Sequence, residues 1–136
     1  MADRAGPVGF IGLGMMGLPM ARSLMARGFS VLACDSSAAA LAALAEGAPA
    51  GALATAPTPA AVAAGAEVVV LMLPTSRIVA EVMEGKDGLL PALRPGMLVI
   101  DMGSSEPAET RRLAEAAAAR GARIMDAPVS GSVAKA

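Results

Sequence analysis

The chain alternates between short runs that are wholly apolar and longer stretches in which apolar residues return every three or four positions. Residues 7–11 form one apolar run, stopped by Gly12, and residues 29–34, apolar apart from Ser30, form a second strand candidate ended by Asp35. Residues 67–73 contain Val68-Val69-Val70-Leu71-Met72-Leu73 and are halted by Pro74, while residues 97–100 end at Asp101. None shows polar alternation, so each predicts a strand buried on both faces. Residues 122–125 predict a last strand before Asp126, and a short strand is expected near Leu53 in the otherwise irregular stretch 47–59.

The intervening segments change period. Over residues 14–27, Leu18, Ala21 and Met25 share one face, Arg22 and Arg27 lie off it, and Gly28 follows. That pattern predicts a helix with a glycine stop. Further helices are expected over residues 38–46, capped by Ser36 or Ser37, over residues 76–83, and over residues 107–120, with Pro107 in the first turn and Gly121 past the end. Residues 60–64 predict one or two helical turns. Residues 89–93 read as a short apolar turn, and Pro95-Gly96 marks another. Strand and helix alternate throughout. The expected fold class is therefore α/β: a doubly wound, mostly parallel sheet with helices on both faces.

Composition narrows the chemistry. The 136 residues suit one domain and can bury a real core. Two phenylalanines are the only aromatics and the net charge is −1. Neither aromatic stacking nor a basic surface is available for nucleic acid. Ten methionines help fill a core poor in rings. There is no histidine, which excludes histidine bases and histidine metal ligands, and no metal site is expected. The single cysteine, Cys34, cannot form an intrachain disulfide, which is consistent with a reducing compartment. The uncharged stretches 5–21 and 47–66 are broken by Gly and Pro and match no spanning helix. The expectation is a soluble, cytoplasmic protein with no membrane partner.

Gly12-Leu13-Gly14-Met15-Met16-Gly17 follows the first strand and opens the first helix. In that context the glycine spacing is a phosphate-binding turn: Gly12 for the tight bend, Gly14 for close approach of a pyrophosphate, Gly17 for helix–strand packing. Helix N-terminal amides and the helix dipole favour the anion. Asp35 lies 18 positions after Gly17, at the end of the second strand. A carboxylate there can accept from adenosine ribose hydroxyls and would repel a 2′-phosphate, so NAD is expected over NADP. The competing reading makes Asp35 a cap for the following helix. Pro74-Thr75-Ser76, residues 101–105 and residues 126–132 also fall beyond strand ends, where ligands bind in such sheets.

These segments resemble, in order and over nearly the whole chain, the β-hydroxyacid dehydrogenases, the family of 3-hydroxyisobutyrate dehydrogenase, tartronate semialdehyde reductase and the more distant 6-phosphogluconate dehydrogenase. Residues 9–21 resemble the family's N-terminal signature, and Met72-Leu73-Pro74-Thr75-Ser76 its loop after the fourth strand. Residues 101–107 resemble its D-x-x-[ST]-x-x-P segment, and residues 126–131 its substrate motif D-A-P-V-S-G-G. The resemblance implies a Rossmann-type NAD(P)-binding domain over residues 1–136. It implies cofactor contacts from Gly12, Leu13, Gly14, Met15, Met16, Gly17, Asp35, Leu73, Pro74 and Ser104, and substrate contacts from Ser130, Gly131 and Ser132. The implied reaction is NAD(P)-linked interconversion of a small β-hydroxyacid and its semialdehyde, in a full-length protein that is a homo-oligomer.

Two departures qualify this. Ser132 stands where the family has a second glycine. The family's catalytic lysine and C-terminal helical domain lie beyond Ala136, so no catalytic residue is expected in this chain, which alone should be inactive. Lys135 matches the turn after the substrate motif, and Lys86 lies in a distant loop. The alternatives are a non-catalytic dinucleotide-binding or interaction module, and an imine reductase-like enzyme.

Overall fold

The computed structural model describes residues 6–103 and 106–127. Six strands run β1 (Val8–Ile11), β2 (Val31–Cys34), β3 (Leu53–Thr55), β4 (Val68–Leu71), β5 (Leu98–Asp101) and β6 (Arg123–Asp126). They are separated by α1 (Gly17–Ala26), α2 (Ala38–Ala45), α3 (Pro59–Gly65), α4 (Ser76–Glu84), a single 3-10 turn (Leu90–Ala92) and α5 (Pro107–Ala118). The sheet order is β3-β2-β1-β4-β5-β6, and every neighbouring pair is parallel. β1 is central, pairing Ile11 with Cys34 on one side and Leu71 on the other.

The lack of alternation in β4 has a direct cause. Val69 and Leu71 enter the core beneath α3, α4 and α5, with Val62, Val79, Met83 and Leu113. Val70 faces the opposite way, into the core under α1 and α2, with Phe10, Ala21, Met25 and Leu44. Both sides of the strand are dry, so both must be apolar. Phe10, Leu44 and Val69 are essentially inaccessible, and burial of such side chains stabilises by about 1.5–3 kcal/mol each. On the α1 side the cover thins out toward β6, where Met125 is 45% exposed. Among the described residues β6 is an edge strand, and its Arg123 is exposed.

The elements fall where the apolar pattern puts them, with shifted ends. The first helix begins at Gly17, not residue 14, because residues 12–16 form the turn that leaves the sheet. The second strand begins at Val31: Phe29 still bonds back to Leu24 as part of the helix exit. The last strand runs one residue later than expected and includes Asp126. Ser37, not Ser36, caps α2, its Oγ accepting from Ala40 N–H at 3.1 Å. No described helix is long and apolar enough to cross a membrane.

Candidate dinucleotide cleft

The carboxyl ends of β1, β2 and β4 lie side by side, and the chain leaves each in a different direction. At β1 it turns at Gly12, whose φ of 104° lies in the left-handed region. A Cβ there would collide with the Met72 carbonyl oxygen and come within 3.0 Å of Leu73 Cδ2. Gly17 is needed for a different reason, because its Cβ would overlap the Gly12 carbonyl oxygen. Gly14 differs from both: a Cβ built on it meets nothing within 4 Å. Fold packing thus demands glycine at positions 12 and 17. At position 14 it leaves open space beside exposed backbone.

The helix that follows is unfinished by its own side chains. α1 has Met16 as N-cap with no side-chain hydrogen bond, and no acidic residue in its first turn. α2, α3 and α4 are each capped by a hydroxyl, from Ser37, Thr58 and Thr75 respectively. α5 also lacks a side-chain cap but carries Glu109 in its first turn. No side chain of α1's own first turn compensates the partial positive charge of that end, a condition that favours an anion.

Asp35 ends β2 half-buried and faces the turn. Its Oδ2 accepts from Leu13 N–H at 2.6 Å and its Oδ1 from Ser37 N–H at 2.8 Å. The helix-cap role considered for Asp35 belongs to Ser37 instead. Cys34, just before it, is buried, and both desolvation and the neighbouring Asp35 charge push its thiol pKa up. It stays a neutral thiol at neutral pH and supplies no nucleophile.

Gly12, Leu13, Gly14, Met15, Met16, Gly17, Asp35, Leu73 and Pro74 all line one cleft of about 430 Å³. A recess of about 260 Å³ continues from it past Asp35, walled by Cys34, Pro57 and Pro59. The sequence pattern thus brings nine of its cofactor candidates together. Their parts differ: Leu13 turns its side chain into the core at 3% exposure, whereas Met15 is 80% exposed at the mouth. Ser104, Ser130, Gly131 and Ser132 lie outside the described residues. Ser36, Met72 and Ile78 also line the cleft and were not anticipated. Ser36 read as a cap candidate and as one of the serines beside Asp35 that bear on the choice between NAD and NADP. Met72 opens the loop segment that carried the resemblance, whereas Ile78 read only as part of a helix, with no local signal to set it apart.

A hydrogen bond ties the loop after β4 to the segment that follows β5. Ser76 Oγ accepts from Glu106 N–H at 2.8 Å, and buried Asp101 accepts from Gly103 N–H at 3.0 Å. Among the described residues, no group of three His, Cys, Asp or Glu side chains gathers to hold a metal.

A parallel 3-2-1-4-5-6 sheet, a glycine turn open at Gly14 and an acid at the end of β2 together define a dinucleotide-binding domain. The comparisons agree: the sequence matches the NAD binding domain of 6-phosphogluconate dehydrogenase over residues 7–136, and the chain belongs to that family. It is 42% identical to 2-(hydroxymethyl)glutarate dehydrogenase of Eubacterium barkeri over 91% of this chain and 40% of that protein. The solved 3-hydroxyisobutyrate dehydrogenase of Mycobacterium tuberculosis, with L-serine, superposes with a TM-score of 0.83 at 33% identity. That match covers 96% of this chain and 43% of the other. Psf3 in complex with NADP+ and 2-OPP gives a TM-score of 0.85 at 32% identity, over 93% of this chain and 44% of that one. The chain thus spans about two-fifths of the length of these relatives.

Proposed function

We propose that this chain is the cofactor-holding part of an NAD(P)-dependent oxidoreductase that interconverts a small β-hydroxyacid and its semialdehyde, with NAD as the preferred cofactor. The observation that carries the reading is the pairing of an uncapped α1 terminus with the open space at Gly14. The relatives are named as dehydrogenases of hydroxyacids, which supports the substrate class. The nicotinamide supplies the hydride chemistry, and the protein supplies position and electrostatics. Gly14 and the first turn of α1 would hold the pyrophosphate. Asp35 would hold the adenosine ribose, with the recess past Cys34 left for the base. Leu73 and Pro74 would wall the nicotinamide side with Ser104, and Ser130, Gly131 and Ser132 would contact substrate.

The Asp35 charge supports NAD, since it opposes a 2′-phosphate at the same place. NADP is the second reading, favoured by the NADP+ bound in Psf3 and by exposed Ser36 beside Asp35. No described cleft residue is suited to protonate a carbonyl oxygen, so the acid–base group is assigned to the part of the relatives' length that this chain does not match. Assembly of the full-length protein as a homo-oligomer belongs to the same proposal. A reducing, cytoplasmic setting is supported only by the lone buried Cys34.

Isothermal titration of NADH and NADPH into the chain tests this. Tighter binding of NADH is expected, with little or no turnover of hydroxyacids by the chain alone. Absence of binding by both nucleotides would sink the cofactor reading, and equal affinity would sink the preference.

A further inference from the structure

We infer that the Asp35 carboxylate is a strut of the phosphate turn as well as a ribose acceptor, holding the Leu13 and Ser37 amides in place before any cofactor arrives. Only its ribose half rests on the function proposed above. The two carboxylate oxygens are divided between two loops. Oδ2 takes the Leu13 N–H at 2.6 Å, across 22 residues of sequence, and Oδ1 takes the Ser37 N–H at 2.8 Å. Contacts this short to an ionised acceptor are charge-assisted and stronger than neutral ones. The α2 end does not need Asp35 for its cap, because Ser37 Oγ already accepts from Ala40 N–H. What Asp35 adds is a bridge between the end of β2 and the turn leaving β1.

That bridge acts on one residue in particular. Leu13 is pinned at its side chain by the α1-side core and at its N–H by Asp35. Gly12, just before it, is fixed against the Met72 carbonyl, and Gly14, just after it, is the open cradle. Release of the Leu13 amide frees the backbone that aims Gly14 at the pyrophosphate. Each carboxylate oxygen has a second lone-pair position, so ribose hydroxyls can add without displacing the strut.

This changes what neutralising Asp35 does. Asn offers one acceptor oxygen and one donor nitrogen, so Asp35→Asn can satisfy one of the two amides and sets a donor against the other. Loss of charge then relaxes the preference between NAD and NADP while loss of the strut weakens binding of both. Asp35→Glu separates the two roles. It keeps the charge, and hence the NADH-over-NADPH preference, but one extra methylene moves the carboxylate off the Leu13 amide.

The test is NMR of the 15N-labelled chain without nucleotide, followed by titration of NADH and NADPH. In the unsubstituted chain the Leu13 amide proton is expected downfield and protected from exchange. In Asp35→Asn it should move upfield and exchange at least about tenfold faster. Ser37→Ala removes the α2 cap and serves as a control for general loosening, so its Leu13 amide should stay put. NADH and NADPH should both bind more weakly to Asp35→Asn, and Asp35→Glu should bind both more weakly with the preference kept. Unchanged Leu13 exchange in Asp35→Asn overturns the strut. So does an Asp35→Asn chain that binds NADPH as tightly as the unsubstituted chain binds NADH. If the unsubstituted chain binds neither nucleotide, the proposed function fails while the amide exchange still decides the strut.

Discussion

The amino ends of α1 and α4 sit at the same edge of the sheet and are finished in opposite ways. At α4, Thr75 Oγ1 accepts from Ile78 N–H at 3.1 Å, and Ser76 ties the same end to the start of α5. At α1 no side chain caps the helix, and the residue nearest the cradle is a glycine with nothing around it. The protein completes one helix end with its own side chains and leaves the other without a side-chain cap. Uncapped termini are costly by about 0.5–2 kcal/mol where a hydroxyl could have served, so the missing cap is informative.

The contrast can be broken most forcefully inside the turn. Gly17→Ala should destabilise the chain by about 1–3 kcal/mol, because its Cβ meets backbone oxygen that cannot move aside. Urea unfolding and NADH titration should show stability and binding falling together, and a variant unchanged in both would contradict the packing argument. Gly14→Ala should separate them. NADH affinity is expected to drop about tenfold or more, which is about 1.4 kcal/mol, while the unfolding midpoint holds or rises slightly. A Gly14→Ala chain that binds NADH normally would mean the open space is not where the cofactor lies.

Thr75→Ala is the mirror experiment at the completed end. It should cost about 1 kcal/mol of stability and leave NADH affinity unchanged. Smallest of all should be Glu84→Gln, at the other end of α4, where Glu84 pairs with Arg112 at 2.6 and 2.7 Å on an exposed surface. The Arg112 hydrogen bonds hold the Glu84 carboxyl below its ordinary 4.5. The pair's contribution is therefore complete above that value and disappears as pH falls through the lowered one. A Glu84→Gln penalty that is small at pH 7, shrinks with added salt and vanishes in acid fits a screened surface pair. A penalty that persists in acid would point to packing.

Strand β4 was legible because burial on both faces leaves no polar position to blur it, and the glycine spacing identified the turn. The start of α1 was not, since residues 14–16 continue the apolar composition of the helix while their backbone belongs to the turn. Ile78 was opaque for the same reason: an apolar residue reads alike whether it faces core or cleft. Asp35 was legible as an acid in the right place. Its two backbone partners depend on how loops 22 residues apart approach, which spacing along one chain does not encode.

The contact between Gly12 and the Met72 carbonyl also sets an order in time. β1 precedes β4 in the chain, yet its turn is packed by a residue 60 positions later and braced by another at 35. During synthesis, at roughly 5–20 residues per second, the segment carrying this turn emerges before β4 and waits several seconds for it. Pairing that distant must bear its loop-closure entropy before it gains contacts. The turn is thus made before the residues that give it its shape.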